Sequence, residues 1–393
     1  MRLNARQMVS RVTQRARYRW MRLLNAALGE KPNKVVLASF NGSAYSDNPR
    51  AISEALNAAR PGLDLVWLFE EPETKRGAAP PYVRCVQFGS ARALFELATA
   101  RVWVDNTTKP PYAYKSPRQF YLQTWHGDRG FKTMLMDSPN YQKGRRMVEA
   151  DCDLITTGSA HAERVYRGAF NYRGAFLRCG SPRNDLLFRA DPDRVARVRA
   201  ALSIPEGAKV LLYAPTYRRD AALSHAAQAT EMDVASALNA LEERGERWVC
   251  LMRGHTKVRG LQAAGVDARI LESSGWEDMA ELLLVADILI SDYSSSVGDF
   301  ALTGRPVVLF QPDRERFSGD RTFYFDIDAS PFWVARDQAA LEARLRGLSP
   351  EDAAENDREI LRFFGAYETG SATEQAVSAI LEHLGAAPMK EGD

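Results

Sequence analysis

From residue 34 onward, short apolar runs alternate with longer stretches whose apolar residues recur at helical spacing. The runs predict strands at 34–40, 63–69, 84–88, 101–105, 119–124, 153–157 and 175–179. Helical stretches at 50–59, 91–100 and 160–169 lie between them. A connecting helix is expected at 192–202, and the pattern then restarts. Strands are predicted at 210–213, 248–253, 268–271, 288–291 and 306–310, with helices at 233–244 and 276–285. A helical tail runs from about 351 to 384. Short apolar strands alternating with helices mean a parallel sheet covered on both faces. The restart predicts two doubly wound α/β domains, at 34–190 and 205–345, followed by C-terminal helices at 350–386. Ligands in such sheets bind beyond the carboxyl ends of the strands, so chemistry is expected in a cleft between the domains.

Residues 1–33 are a separate block. Arg2, Arg6, Arg11, Arg15, Arg17, Arg19 and Arg22 face a single acid, Glu30. Met8, Val12, Trp20, Met21, Leu23, Leu24 and Leu28 are interleaved with them, in a register compatible with a basic amphipathic helix. Such a helix suits an anionic membrane surface, where each arginine contributes about 1 kcal/mol. An ordinary surface helix packed on the next domain fits equally well, and a mitochondrial presequence has similar composition. It is not a secretory signal, because arginines interrupt every apolar core. Pro32 and Asn33 are expected to separate the block from the first strand.

Composition narrows the function classes. The chain has 393 residues, enough for two to three domains at roughly 150 residues each. Hydrophobic residues at 45% and charged residues at 26% exclude a wholly disordered chain and a fibre. The apolar stretch 282–290 is already interrupted by Asp287, and no run approaches the roughly 18 residues of a membrane span. A net charge of +2 argues against nucleic acid as a partner. Cys85, Cys152, Cys179 and Cys250 form no CxxC pair and fit a reducing cytoplasm. No GxGxxG follows the first strand and no GxxxxGK[ST] occurs, so hydride transfer and P-loop chemistry lose support.

Polar residues gather at the predicted strand ends. Trp125-His126-Gly127 places a histidine, with its ordinary pKa near working pH, where a general base or acid would sit. The bland alternative is a histidine bonded to backbone. Arg253-Gly254-His255-Thr256-Lys257 sets a second histidine among cations, suited to phosphate or to a solvated basic turn. Ser291-Asp292-Tyr293-Ser294-Ser295-Ser296 ends a buried strand where a helix begins. One serine is enough for a helix cap; three at a strand tip suit a phosphate cradle. Thr216 and Arg218 follow another strand, and Arg183-Asn184-Asp185 lie near the expected hinge, where a simple turn is the alternative.

In these stretches the chain resembles the CDP-glycerol glycerophosphotransferase family, whose enzymes prime or polymerise teichoic acids and some capsules. The resemblance is carried by Tyr45-Ser-Asp-Asn-Pro49, Tyr121-Leu-Gln-Thr-Trp-His-Gly127, Gly180-Ser-Pro-Arg-Asn-Asp185, Tyr213-Ala-Pro-Thr-Tyr-Arg218, Arg253-Gly-His255, Ser291-Asp-Tyr-Ser-Ser-Ser296 and Phe323-Tyr-Phe-Asp326. It implies a GT-B fold: two Rossmann-like domains facing across a cleft, acceptor site in the first, CDP-donor site in the second, and a last helix crossing back. The implied donor is CDP-glycerol, favoured over CDP-ribitol, and the implied acceptor an undecaprenyl-diphosphate-linked glycan. It places the work at the inner face of the plasma membrane, as a peripheral cytoplasmic protein. This tips the reading of residues 1–33 towards an anionic membrane surface.

Carried over by resemblance, His126 is the catalytic base and His255 stabilises the leaving group. Arg253, Thr216, Arg218, Asp292, Ser294, Ser295 and Ser296 hold the donor phosphates and CDP. Trp125, Gly127, Arg183, Asn184 and Asp185 belong to the acceptor side and hinge. No cofactor beyond the CDP-polyol substrate and no metal is implied. His161, His225 and His383 match no family motif and read as surface or helix residues. Two stretches depart from the family pattern. Asp128-Arg129-Gly130-Phe131-Lys132 replaces the usual threonine-proline-leucine, and Thr322 replaces a glycine. The competing expectations are a GT-B glycosyltransferase using a nucleotide sugar, and a non-catalytic membrane-surface scaffold of the same fold.

Overall fold

A computed structural model describes residues 5–141, 146–189, 191–216, 232–254, 267–314 and 322–385, with backbone alone for 5–11. Seven parallel strands build the first sheet: β1 Lys31–Ala38, β2 Asp64–Phe69, β3 Val83–Gln87, β4 Ala100–Asp105, β5 Phe120–Gln123, β6 Leu154–Thr157 and β7 Ala175–Arg178. Their order is β3-β2-β1-β4-β5-β6-β7. The second sheet holds β8 Lys209–Tyr213, β9 Trp248–Met252, β10 Ile270–Glu272, β11 Ile288–Ser291, β12 Val307–Phe310 and β13 Trp333–Ala335. Its order is β10-β9-β8-β11-β12-β13, also all parallel. The order reverses between β1 and β4 in one sheet and between β8 and β11 in the other. Those two points are where a doubly wound sheet opens a crevice for ligand. The fold is GT-B.

The central strands are apolar on both faces because helices cover both. Val35 and Leu37 of β1 face one layer and Val36 and Ala38 the other, and all four are fully buried. The helices are α1 Ala5–Leu28, α2 Asp47–Ala59, α3 Ala91–Thr99, α4 Ala160–Ala169, α5 Pro192–Ala201, α6 Val234–Glu242, α7 Met279–Val285, α8 Ser296–Phe300, α9 Gln338–Arg346, α10 Pro350–Phe364 and α11 Ala372–His383. Most begin on a residue whose side chain takes a free backbone N–H: Ser90, Ser159, Asp233, Asp278, Asp337 and Ser349. The expected helix at 276–285 therefore starts only after its cap, Asp278.

Two sequence expectations change, and the expected C-terminal helices gain a boundary. Pro32 and Asn33 do not separate α1 from the sheet; they lie inside β1, where the register to β4 shifts between Lys31 and Val35. Proline is tolerated at such an irregularity because no ladder bond is asked of it. The C-terminal tail is two helices, broken where Gly365 takes the left-handed conformation at φ +62°. The three-residue strand β13 lies at a sheet edge and has too short an apolar run to be read from pattern. The last helix crosses back as expected. Ala376, Val377, Ile380 and Leu381 of α11 pack into the core layer of the first sheet with Val35, Leu37 and Leu122.

Candidate active site

The first half of the site is built around the end of β5. Thr124 continues the ladder by donating to the Asp105 carbonyl at 2.8 Å. The chain then turns sharply, with Trp125 at φ +50° and its N–H donated to Gln123 Oε1 at 2.8 Å. Phe40, Asn41 and Asp47 at the β1 end also have positive φ, so four non-glycine residues in this uncommon region surround one crevice. The Trp125 ring packs on Phe170 and on His126, at 4.9 and 4.4 Å between centroids. His126 Nδ1 lies 2.6 Å from the Asn106 carbonyl oxygen. A carbonyl only accepts, so Nδ1 carries the proton and Nε2 keeps its lone pair. Burial pulls the imidazole pKa below its ordinary value. The Asn106 bond and the Asp47 and Asp105 carboxylates oppose that shift, and Arg183 adds to it. The ring is therefore neutral near pH 7, the state a base needs.

The second half lies at the β8/β11 switch. Asp292 takes the Thr216 N–H at 2.9 Å and the Thr216 hydroxyl at 2.5 Å, and also caps the Tyr293 N–H. It holds the two strand tips together through these bonds. Ser294 and Ser296 share a hydroxyl contact of 2.9 Å, and the Ser295 side chain makes no capping bond to α8. Arg253 donates to the Trp276 carbonyl at 2.8 Å, and burial pulls its pKa down. The two halves touch at Gly127: a Cβ there would stand 2.9 Å from Ser295 Oγ. The glycine beside the histidine is thus what lets the serine turn approach.

Behind that contact the lobes are joined by a buried ionic cluster. Asp299 of α8 accepts from Arg129 Nη2 at 2.9 Å through Oδ1 and from Arg183 Nη2 at 2.7 Å through Oδ2. Arg129 also reaches Glu368 at 2.6 Å, in the break between α10 and α11. Asn184 Nδ2 donates to Asp299 at 3.1 Å and to Glu368 at 3.2 Å. Arg183 extends the cluster to Asp47 at 2.9 Å. Burial pushes the Asp299 carboxyl up, but Arg183 and Arg129 more than offset it and hold the group below its usual range. For Glu368 and Asp128 burial wins over Arg129, and both shift upward. Burial works against the Arg129 guanidinium, yet the Glu368, Asp128 and Asp299 carboxylates keep it charged. Such an ion cluster is stabilising only when its members are mutually satisfied.

The two departures from the family pattern meet across the lobes. Phe131 leaves the first lobe and is buried in the second against Phe325 and Phe332, at 5.0 and 5.2 Å. The Phe131 carbonyl accepts from Tyr324 N–H at 2.8 Å, and the Thr322 carbonyl accepts from Thr133 N–H at 2.9 Å. Asp137 accepts from the Tyr324 hydroxyl at 2.8 Å. His161, read as a surface or helix residue, lies on α4 but is buried, with Nε2 3.0 Å from the Gly130 carbonyl of this loop. Burial lowers its pKa to about 4.

Of the sequence candidates, Trp125, His126, Gly127, Ser295, Arg183 and Asn184 converge on this interface, and Thr216 and Asp292 form one bonded unit beside it. Asp185 stands apart: its carboxylate takes the Ala372 and Thr373 N–H groups, at 3.0 and 2.7 Å, and so seats the first turn of α11. His255 and Arg218 lie outside the described residues. Asp47 and Arg129 stand in stretches quoted above but, like Asn106, Asp299 and Glu368, receive no role from the sequence. Arg129 and Glu368 are 239 positions apart, so no local spacing signals their pairing.

Comparison with known proteins agrees with this architecture. Residues 20–382 match the family model described as CDP-Glycerol:Poly(glycerophosphate) glycerophosphotransferase. A teichoic acid glycerol-phosphate transferase of Staphylococcus aureus is 29% identical over 383 residues, covering 90% of this chain and 95% of that protein. A teichoic acid poly(glycerol phosphate) polymerase of Bacillus subtilis is 28% identical over 392 residues. The chain spans about half, 51%, of that polymerase's length. A solved structure of the wall teichoic acid polymerase TagF superposes with a TM-score of 0.82 at 25% identity, covering 95% of this chain and 94% of that one.

Removing Arg129 leaves the buried Glu368 and Asp128 carboxylates without their guanidinium. Arg129→Met is expected to destabilise the protein by about 3–5 kcal/mol, lowering its denaturant midpoint. Arg178→Met, which removes an exposed guanidinium beside Glu163, should change that midpoint little. Equal small effects of both substitutions would contradict the role given to the cluster.

Proposed function

Since the chain belongs to the CDP-glycerol:poly(glycerophosphate) glycerophosphotransferase family, we propose that it transfers glycerol phosphate from CDP-glycerol to a hydroxyl of a lipid-linked teichoic acid-type acceptor, releasing CMP. The observation that carries the assignment of the base is the 2.6 Å bond between His126 Nδ1 and the Asn106 carbonyl. It leaves Nε2 as the one ring nitrogen able to accept a proton.

In this reading Nε2 takes the proton of the acceptor hydroxyl. The acceptor oxygen forms a new bond to the glycerol-side phosphorus of the donor pyrophosphate. The bond from that phosphorus to the bridging oxygen breaks, and CMP leaves with the electron pair. Little covalent chemistry is asked of the protein; positioning and charge stabilisation carry the step. Ser294, Ser295 and Ser296 supply hydroxyl and backbone donors at the strand tip, and Arg253 supplies charge. Asp292 acts indirectly, by fixing Thr216 and the turn, which refines its expected role as a phosphate ligand. His255 and Arg218 keep the leaving-group and donor roles that the resemblance implies.

The same reading puts the protein on the inner face of a membrane, where a lipid-linked acceptor is reached. Among the described residues no helix is long and apolar enough to cross a membrane. The geometry of α1 supports surface binding. One side packs on the first lobe through buried Met21 and through Asn25, whose amide donates to the Ala98 carbonyl at 2.9 Å. The other side leaves Val12, Trp20 and Leu23 exposed by 67%, 52% and 64%, beside exposed Arg15, Arg19 and Arg22. Apolar side chains among arginines suit an anionic lipid surface.

Two measurements test the proposal. Purified protein given CDP-glycerol and a glycerol-phosphate-primed lipid acceptor is expected to release CMP. His126→Ala should lower that rate by roughly 10²- to 10⁴-fold, the contribution of a positioned base. Release of a nucleoside diphosphate from a nucleotide sugar, with no CMP from CDP-glycerol or CDP-ribitol, would move the chain to the glycosyltransferases. Separately, the double substitution Trp20→Glu with Leu23→Glu should abolish binding to vesicles containing anionic phospholipid. Unchanged binding would contradict the membrane role of α1.

A further inference from the structure

The Tyr45–Pro49 motif has no part in the chemistry described so far, yet it lies directly behind the base. Asp47 is the first residue of α2, buried, and held at φ +64°. A non-glycine residue stays in that region only where its surroundings hold it there. Its carboxylate is held on both sides. Oδ1 accepts from Asn106 Nδ2 at 2.9 Å and from the Asn48 N–H at 2.8 Å, and Oδ2 accepts from Arg183 Nη1 at 2.9 Å. Asn106 is the residue whose carbonyl takes His126 Nδ1–H. The other face of Asn106 is pinned by the Phe40 N–H, donated to Oδ1 at 2.8 Å. Asn48 completes the frame, donating to the Trp125 carbonyl at 2.8 Å and accepting the Arg183 N–H at 2.9 Å.

We propose that Asp47 is a positioning residue for the transfer reaction: it grips Asn106, and so sets the tautomer and aim of His126, while Arg183 ties that grip to Asp299 behind the serine turn of the other lobe. The proposal rests on His126 being the base. It explains why a carboxylate stands here. Both oxygens face donors only, and a carboxylate is the side chain that accepts on both sides. An amide would turn its NH₂ towards either Asn106 and the Asn48 N–H or Arg183, and one hold would be lost. The charge matters too. The groups acting on His126 are Asp47 from α2, Asp105 from the end of β4 and Arg183 from the turn after β7. Removing the Asp47 charge leaves Arg183 less opposed, so the imidazole should protonate at still lower pH.

The test is made on the full chain with isotope-labelled histidine, by NMR of the ring nitrogens, together with CMP release. The natural protein should show His126 neutral at pH 7 with the proton on Nδ1. In Asp47→Asn the signal should become a mixture of tautomers and the pKa should fall. The kcat for CMP release should drop on the order of 10- to 100-fold, with KM for CDP-glycerol changing less than about threefold. The acid limb of its pH profile should move to lower pH, which a merely structural defect would not produce. Asn106→Ala keeps the carbonyl but removes the amide that Asp47 grips, and should give the same tautomer mixture. A folded Asp47→Asn or Asn106→Ala protein with the natural His126 tautomer would overturn the proposal. Full turnover by His126→Ala would instead overturn the base assignment, and the ring-nitrogen signals would still report whether Asp47 sets the tautomer.

Discussion

Asp299 is the residue on which the two lobes depend. Its carboxylate sits between Arg129 and Arg183, both from the first lobe, while the residue itself belongs to the helix that follows the serine turn of the second. Each of its oxygens is taken by a guanidinium, and Asn184 adds a further donor. It is the one carboxylate that both guanidiniums share, with Glu368 and Asp47 as their outer partners, so it links two buried charges that would otherwise be held separately. Close backbone approach is part of the same constraint. Gly298 lies against Arg129, where a Cβ would come within 2.6 Å of the arginine Cβ, so the residue before Asp299 must be small.

From that fixed point the site follows in order. Arg183 passes from Asp299 to Asp47, Asp47 holds Asn106, and Asn106 holds the imidazole of His126. On the other side, the serine turn attached to α8 is brought against Gly127. Glu368 brings the C-terminal crossing into the same cluster through Arg129. His126 on one lobe and the serine turn on the other are thus set by one network of charges. Such preorganisation is what a phosphoryl transfer asks of its protein.

The strands were legible because the central ones are buried on both faces, and runs such as 65–69 and 288–290 carry that burial in their composition. Trp125-His126-Gly127 and the three serines were legible for a similar reason: polar residues at the tip of an apolar strand have little structural purpose there. The cluster was not legible. Arg129 lies in a loop and Asp299 in a short helix, and their meeting is set by the fold of both lobes over 170 positions of chain. The loop at 128–132 departs from the family pattern, and its Phe131 is a packing residue of the second lobe. Asp292, expected among the residues that hold the donor phosphates, is bonded to Thr216 and Tyr293.

If the network joins the lobes to His126, Asp299 and Asp47 act as one unit through Arg183. A double-mutant cycle on the rate of CMP release, with Asp47→Asn, Asp299→Asn and the two combined, measures it most directly. Strong non-additivity is expected, the double variant being little slower than the worse single one. Rate losses that simply multiply would show that the two carboxylates act independently, and the network joining the lobes to the base would not stand.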